Sequence, residues 1–347
     1  MHTEFQTLHA NFHETGNAKR SWTTRTSVRL YLHDGDGHIG LGEAAPLEGL
    51  SREGAGQAQE ALAAFDWPDQ PPLELDEIEA LVSRIDPALP SARFAAESAL
   101  TSLAASVLAV PMWAMWADEV EAQPVAPVLF GPDDFTIMRA AREAAAHEVQ
   151  AVKLKVGVHS ERMESALLRE IRAVVGPIDL RLDANGSVPP DKLAATLERL
   201  AEHEPSFLEE PAALEHIMKL SEVPFPLAID ESLAGDDADE VLDRALDCDH
   251  IQVVVLKPSL LGGAARCLSL AARARAAGRQ VVVSHLMEGV IGRCAAAHLA
   301  LALGGAPAGL GEHPALGLLS DGLTASWIDL AWITPPSAPG LGLELAW

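Results

Sequence analysis

Charged side chains stand at the ends of successive apolar runs in this chain, and their spacing constrains the fold more than any other feature. The run AVKLKVG at 151–157 carries two lysines, and later runs end in carboxylates or in a third lysine. Successive groups are 30, 26, 21 and 27 residues apart, the length of one strand, one helix and two loops. Repetition of such a unit is typical of a (β/α)8 barrel, whose functional side chains lie at the C-terminal ends of the strands. The groups are Lys153 with Lys155, Asp183, Glu209, Asp230 and Lys257.

The sequence therefore predicts an α/β fold, a (β/α)8-type TIM barrel with an additional α+β part. Before the barrel, strands at 4–9, 24–33 and 38–44 and helices at 75–84 and 91–109 form an α+β pattern. We expect a capping domain at 1–122, the barrel at 123–324, and a tail at 325–347 that returns to the cap and completes it. The predicted barrel strands begin at 124 and continue near 150–156, 178–183, 205–209, 226–230, 250–256, 280–284 and 308–312.

Composition excludes several classes of partner. The 347 residues are 48% hydrophobic, enough for a full barrel, and 25 basic against 50 acidic residues give a net charge of −25. Nucleic acid and anionic membrane surfaces would repel such a chain, so neither is an expected partner. Three widely spaced cysteines predict a reducing compartment, and no signal-peptide pattern is visible, so a cytoplasmic location is expected. The oligomeric state stays open.

The predicted strand order places the charged groups around one mouth. Lysines end the second and sixth strands, so in an eight-stranded ring they face each other with three carboxylates between them. Oxygen ligands without His or Cys suit a hard cation, Mg2+ first and Mn2+ second. Such a cation would hold the carboxylate of a small anionic substrate while a lysine removes the adjacent proton and the enediolate charge is neutralised. The predicted metal ligands are Asp183, Glu209 and Asp230.

Three polar residues flank the predicted ligands. Glu210 and Glu231 are out of phase with the ligands beside them, so we expect them to orient ligands or lysines rather than bind metal. Asn185 is in phase with Asp183, and we expect it to hydrogen-bond a metal-bound water or a lysine.

The seventh barrel strand ends in the sequence SHLMEG, which supplies candidate substrate-binding residues. These are Ser284, His285 and Glu288. A histidine at a barrel rim usually forms part of a wall, so an acid or base role for His285 is the minority hypothesis.

Two segments near the N-terminus are candidate lids. The polar segment 11–20 is either an ordinary loop or a mobile lid, and the segment 46–53 contains Gly49 and Leu50, which we expect to contact substrate. Closure of such loops excludes water from an enediolate.

The ordered set KLK, DAN, EEP, DES, KPS and GG resembles the enolase superfamily, specifically its muconate-lactonising subgroup, over almost the whole chain. GLGEAAPLEGLSRE at 40–53 and SHLMEGVIGR at 284–293 are similar to the o-succinylbenzoate synthase family. His285 and Gly289 stand where that family usually has serines, a departure that bears on the substrate rather than the fold.

The resemblance implies a role for each lysine beside the same three metal ligands. Lys155 would be the base, Lys153 would lower the pKa of Lys155 and help hold the substrate carboxylate, and Lys257 would stabilise the enediolate as a cation. The implied reaction is the Mg2+-dependent dehydration of 2-succinyl-6-hydroxy-2,4-cyclohexadiene-1-carboxylate to o-succinylbenzoate in menaquinone biosynthesis.

Other functions remain open at the level of sequence. N-succinylamino acid racemase and dipeptide epimerase need the same two facing lysines, whereas muconate cycloisomerase fits the cap sequence less well. A metal-dependent barrel hydrolase would normally show His ligands, and no HxH motif is present on the first barrel strand. A non-catalytic binding protein has no reason to keep lysines desolvated opposite a metal.

Overall fold

The structure is a computed structural model that describes residues 1–16, 19, 21–235, 237–313, 319 and 321–345. Its N-terminal region begins with an antiparallel sheet of strands β1 (His2–Gly16), β2 (Ser21–His33) and β3 (Ile39–Ala44), in that order. The prediction of a loop at 11–20 was wrong for 11–16, because β1 continues to Gly16 and pairs Thr15 with Trp22 after an irregularity in register. Residues 17, 18 and 20 lie outside the described residues.

Three helices pack on this sheet: α1 (Ala55–Ala64), α2 (Leu75–Val82) and α3 (Pro90–Val107). Strand β3 lies so close to α3 that a Cβ atom at Gly40 or Gly42 would overlap the backbone carbonyls of Ala99 and Ala95. The glycines of GLGEA therefore allow sheet and helix to touch, which fixes the position of the neighbouring Glu43.

The second region is a parallel sheet in which consecutive strands are neighbours, from β11 at one edge to β5 at the other. A helix follows each strand, although the helix after the strand Phe207–Glu209 has only four residues, so the predicted βα alternation is confirmed. The strands are β5 (Val128–Leu129), β6 (Ala151–Lys155), β7 (Asp179–Asp183), β8 (Phe207–Glu209), β9 (Leu227–Ile229), β10 (Ile251–Leu256) and β11 (Gln280–Val283). The helices are α4 (Asp134–Ala146), α5 (Glu161–Val175), α6 (Leu193–Ala201), α7 (Leu214–Ile217), α8 (Ala238–Leu246), α9 (Pro258–Leu261), α10 (Ala264–Ala276) and α11 (Val290–Leu303).

The eighth strand predicted at 308–312 is reduced to two isolated parallel bridges. Ala308 bridges to Val125 beside β5, and Gly309 bridges to Ser284 at the end of β11, so one segment contacts both edges of the sheet. On the N-terminal side of the bridges, Pro124 and Pro307 lack the N–H donors that would extend the two ladders.

Side-chain alternation along the strands separates two apolar layers. Leu180 and Leu182 of β7 belong to the layer between sheet and helices, whereas Phe207 of β8 lies in a smaller cluster with Val253 and Val255 of β10. Because side chains two residues apart share a face, Glu209 points to the same side as Phe207. The charged strand ends are therefore directed to the inner face of the sheet.

The C-terminal segment returns to the point where the parallel region begins. Strand β13 (Trp332–Ile333) pairs with β4 (Gln123–Pro124), and β12 (Leu323–Thr324) pairs with β14 (Glu344–Leu345). The Met112 N–H donates to Gly340 O over 2.8 Å. The domain division at 122 and 324 stays a prediction.

All three cysteines are free and buried. Within the described residues, no helix is both long enough and apolar enough to cross a bilayer.

Candidate active site

The register of three adjacent strands aligns the predicted catalytic and ligand residues. Lys155 of β6 stands opposite Asp183 of β7, and Asp183 stands opposite Glu209 of β8. Asp230 directly follows β9, and Lys257 directly follows β10. The C-terminal ends of parallel strands meet at one edge of a sheet, so the structure brings these residues together as predicted.

Two lysines are paired with the carboxylates. The Lys153 ammonium lies 2.9 Å from Asp183 Oδ2 and 2.7 Å from Glu209 Oε1. Lys257 forms an ion pair with Asp230 and lies 3.8 Å from Glu231 Oε1. These side chains are largely shielded from solvent, and buried charges persist only when paired in this way.

The environment of Lys155 differs from that of the other two lysines. Burial lowers the pKa of Lys155, the positive charges of Lys153 and Lys257 lower it further, and Asp183 opposes the shift. Burial also acts on Lys257, but Asp230 and Glu231 outweigh it and raise the pKa of that lysine. Lys155 is therefore the lysine most readily deprotonated, and the predicted influence of Lys153 has the expected direction, although burial is the larger cause.

The flanking carboxylates orient the neighbouring groups. Glu210 Oε2 accepts hydrogen bonds from Asp230 N at 2.8 Å and Ser232 N at 3.3 Å, so it fixes the backbone that carries Asp230. Burial raises the pKa of Glu210 to about 7. Glu231 Oε1 accepts a hydrogen bond of 2.8 Å from the Asn185 amide. Both glutamates thus contact neighbours of the predicted ligands.

A cavity of about 70 Å3 opens above these residues. Its lining combines charged residues of the strand ends with apolar side chains, a composition suited to a small molecule with one anionic end. Sequence reasoning missed Trp22, whose indole donates to Glu48 O, and His313, whose ring packs 4.7 Å from that of Phe130. The lining residues are Trp22, Leu50, Val128, Lys153, Lys155, Asp183, Asn185, Glu231, Lys257, Ser284, His285, Leu286, Met287, Gly309 and His313.

His285 lies on the wall with both ring nitrogens engaged by the backbone. Nδ1 accepts a hydrogen bond of 2.8 Å from Met287 N, and Nε2 donates one of 3.1 Å to Gly311 O. Burial lowers the pKa of His285 well below its usual value. A neutral ring fixed in this manner is a wall residue, which disfavours the hypothesis of an acid or base role.

Two predicted substrate-binding residues, Glu288 and Gly49, do not line the cavity. Glu288 is buried and accepts hydrogen bonds from the Ser259 hydroxyl and, at 2.8 Å, from Leu286 N. Gly49 occupies an exposed turn with a φ of 77°, which directs the next residue, Leu50, into the cavity.

The side chains at the strand ends offer oxygen donors of the kind that a divalent cation binds. In the described part of the chain, no three Asp, Glu, His or Cys side chains already converge in a metal-binding arrangement, since ammonium groups stand between the carboxylates. The donors are nevertheless hard oxygens on consecutive strand ends. Buried Asn185 Oδ1 and Glu231 Oε2 also have no hydrogen-bond partner. The residues present therefore fit a hard cation in donor type, and they lie on neighbouring strand ends.

Fold and site together define an α/β protein whose parallel strands end in a cluster of carboxylates and lysines. The family described as Enolase C-terminal domain-like matches residues 136–347, so the chain belongs to that family. The predicted resemblance to the enolase superfamily and its o-succinylbenzoate synthases is confirmed.

Two similar proteins of known name are o-succinylbenzoate synthases. The o-succinylbenzoate synthase of Salmonella dublin is 27% identical over 329 residues, covering 93% of this chain and 84% of that protein. The o-succinylbenzoate synthase of Haemophilus influenzae is 26% identical over 274 residues, covering 75% of this chain and 74% of that protein.

Solved structures with other activities have the same fold. The L-Ala-D/L-Glu epimerase of Bacillus subtilis matches with a TM-score of 0.84 and 22% identity, covering 100% of this chain and 99% of that one. The N-succinyl Arg/Lys racemase of Bacillus cereus matches with a TM-score of 0.85 and 20% identity, covering 99% of this chain and 94% of that one. The dipeptide epimerase of Enterococcus faecalis, solved with Mg and the dipeptide L-Leu-L-Tyr, matches with a TM-score of 0.82 and 21% identity. The match covers 99% of this chain and 98% of that one.

Proposed function

We propose that this protein is a Mg2+-dependent lyase that removes a proton α to a carboxylate and eliminates water, forming o-succinylbenzoate from 2-succinyl-6-hydroxy-2,4-cyclohexadiene-1-carboxylate. The observation that carries the proposal is the buried Lys155, whose pKa is lowered and which lines the same cavity as Lys257. The relatives named o-succinylbenzoate synthase, which align with most of the chain, support the choice of reaction.

Each lysine has a distinct part in the proposed reaction. Neutral Lys155 accepts the α-proton and then donates it to the departing hydroxyl, so that one C–H and one C–O bond break and a C=C bond forms as water leaves. Lys257 stays positive, because its carboxylate neighbours favour the ammonium form, and stabilises the developing enediolate. Lys153 holds Asp183 and Glu209 in place and contributes positive charge for the substrate carboxylate.

Asp183, Glu209 and Asp230 would hold the cation, for which the relative solved with Mg provides support. A bound Mg2+ would supply positive charge to the substrate carboxylate and its enediolate. Asn185, Glu210 and Glu231 would act behind these ligands. Mn2+ is the second candidate on donor chemistry alone.

We further propose that the parallel region closes as a barrel through the bridges at Ala308 and Gly309, with the N-terminal region as its cap. The apolar lining contributed by Trp22 and Leu50 comes from that region. It would shield the reacting carbon from water.

A second candidate is racemisation or epimerisation, favoured by one observation: lysines reach the cavity from two well-separated strands. The test is a side-by-side assay with Mg2+ of the dehydration substrate, N-succinylamino acids and dipeptides. Turnover of the dehydration substrate with the highest kcat/KM supports the lyase, and turnover of the amino acid derivatives alone supports the racemase. Inactivity on all of them contradicts both.

A further inference from the structure

Two buried glutamates of the N-terminal region accept hydrogen bonds from the first turns of two helices in the parallel region. Glu43, at the end of β3, accepts from Gly289 N and Gly292 N of α11, each at 2.9 Å, and from the Ser27 hydroxyl. Glu97, on α3, accepts from Ala264 N and from Ala265 N, the latter at 2.8 Å. Glu43 lies 246 to 249 residues before the backbone amides that it binds, and Glu97 lies 167 to 168 residues before the ones that it binds.

Both helices need an acceptor from elsewhere. Their N-cap residues are Gly263 and Gly289, which have no side chain to accept hydrogen bonds from the first-turn amides. A Cβ at Gly289 would overlap Glu43 Oε1, and a Cβ at Gly263 would overlap Glu97 Oε2. The glycines thus leave room for the two carboxylates, and negative charge at a helix N-terminus is favourable.

The same two turns carry parts of the candidate active site. The turn before α10 begins at Lys257, whose carbonyl accepts from Leu260 N and Leu261 N, and the turn before α11 contains the wall residues 284–287. Glu288 joins the turns, because one carboxylate oxygen accepts from the Ser259 hydroxyl and the other from Leu286 N.

We infer that Glu43 and Glu97 are positioning residues, a pair of clamps that dock the N-terminal region on the parallel region and hold Lys257 and the 284–287 wall in place. The catalytic consequence rests on the proposed function. The clamps themselves are intramolecular contacts, so they are tested without substrate.

The first experiment is hydrogen–deuterium exchange on the full chain without substrate. In Glu43→Gln and Glu97→Gln, the amide side of glutamine cannot accept a hydrogen bond, so each clamp loses at least one contact. We expect exchange to accelerate about tenfold or more in residues 284–292 for Glu43→Gln and in residues 257–265 for Glu97→Gln, because local opening becomes easier. Wild-type exchange rates in both variants would overturn the inference.

A matched control is Glu53→Gln. Glu53 is also buried and accepts from Ser91 N in the first turn of α3, but this contact stays within the N-terminal region. Because Glu53 Oε2 has no hydrogen-bond partner, glutamine can keep this contact through its oxygen, and exchange at 257–265 and 284–292 should stay unchanged. Equal acceleration in all three variants would mean a general loosening of the fold and would also overturn the inference.

A double-mutant cycle tests the contact itself. Gly289→Ala places a methyl group against Glu43 Oε1, so it should accelerate exchange at 284–292 as Glu43→Gln does, and the two changes together should be less than additive. Strict additivity would contradict the contact. If these variants do not fold, Ser27→Ala removes one hydroxyl from Glu43 and should give a smaller acceleration in the same segment; no change there would contradict the clamp.

Kinetics on the dehydration substrate separate positioning from stability. At a temperature where urea titration shows every variant fully folded, the clamp variants should lose about tenfold in kcat with a smaller change in KM, since misplaced groups cost rate. An unchanged kcat would show that the clamps are structural only. If the wild type does not turn over this substrate, the proposed function fails, and the exchange data still decide the clamps.

Discussion

At the scale of single residues, Lys155 and Lys257, which both line the cavity, are chemically different, and this difference yields the first prediction. Arginine keeps its charge but does not deprotonate in a protein. Lys155→Arg should therefore lower kcat for dehydration about 10²- to 10⁴-fold, the usual worth of a general base. Lys257→Arg should retain measurable dehydration, because Lys257 needs only to remain positive. Steady-state kinetics of both variants on the dehydration substrate provide the measurement.

The same pair of variants distinguishes a dehydratase from a racemase. Racemisation needs proton transfer on both faces of the α-carbon, so either change should abolish interconversion of the two enantiomers of an N-succinylamino acid. Equal and complete loss of dehydration at both positions, in protein that still folds and binds Mg2+, would count against one-base chemistry.

The second prediction concerns Asp183, which is almost fully buried beside Lys153. Asp183→Asn removes one of the three proposed anionic ligands. Mg2+ affinity should therefore fall by more than the about 10- to 100-fold typical of outer-shell changes, and Mg2+-dependent activity should disappear. Isothermal titration with Mg2+ measures the affinity. Asp179→Asn, at the exposed start of the same strand, is the control and should bind Mg2+ normally. Retained affinity in Asp183→Asn would refute the ligand assignment.

The sequence was sufficient for site residues that depend on local pattern. Lys155, Asp183 and Glu209 were predictable because alternation along a strand and the strand end together determine where a side chain points. Trp22 and Glu43 were not, because their importance arises from contacts with residues far away in the chain. No periodicity within β2 or β3 carries that information.

At the scale of elements, the loop at 46–53 supplies a side chain to the cavity. Leu50 lines the wall and packs with the apolar cluster around Trp22 and Leu286. Leu50→Ala should raise KM for the dehydration substrate about tenfold, the usual worth of lost apolar contact in a pocket, and leave Mg2+ affinity unchanged. Leu73→Ala, at a partly exposed leucine of the same region, should leave KM unchanged. A KM unmoved by Leu50→Ala would make this loop merely structural.

The first hairpin shows why element boundaries were harder to predict than element types. Residues 11–16 are polar apart from Phe12 and lack the alternation of a half-buried strand, so they resembled a loop. Cross-strand pairing with β2 nevertheless extends β1 to Gly16. The short bridges at Ala308 and Gly309 show the opposite case, in which a convincing apolar pattern is interrupted by prolines on the neighbouring segments.

At the scale of the whole molecule, His298 joins three distant parts of the chain. It lies on α11, where Nδ1 accepts from Trp113 N at 3.1 Å and Nε2 donates to Leu341 O at 3.2 Å. Burial lowers the pKa of His298 to about 4. Protonation of Nδ1 would destroy the bond from Trp113, so the folded protein resists taking up this proton.

The corresponding prediction concerns stability at acid pH. A histidine with a depressed folded-state pKa binds its proton more readily when unfolded, so stability is complete above about pH 6.5 and is lost as pH falls towards 4. The loss attributable to His298 approaches about 3 kcal/mol. His298→Gln should flatten this part of the curve in urea unfolding followed from pH 7 to 4. His147→Gln, at an exposed histidine, should leave the dependence of unfolding free energy on pH unchanged. A wild-type pH dependence in His298→Gln would refute the assignment.

The hydrogen bonds between residues 110–112 and Gly340 have a consequence for gene architecture. The chain enters and leaves the parallel region at neighbouring points. Met112 N donates to Gly340 O, Gly340 N donates to Val110 O, and β4 pairs with β13. Because its two ends are neighbours, residues 112–340 are topologically an insertion between residues 111 and 341. A gene segment that encodes 112–340 could therefore be exchanged as one unit, since residues 111 and 341 need only a short linker to join them.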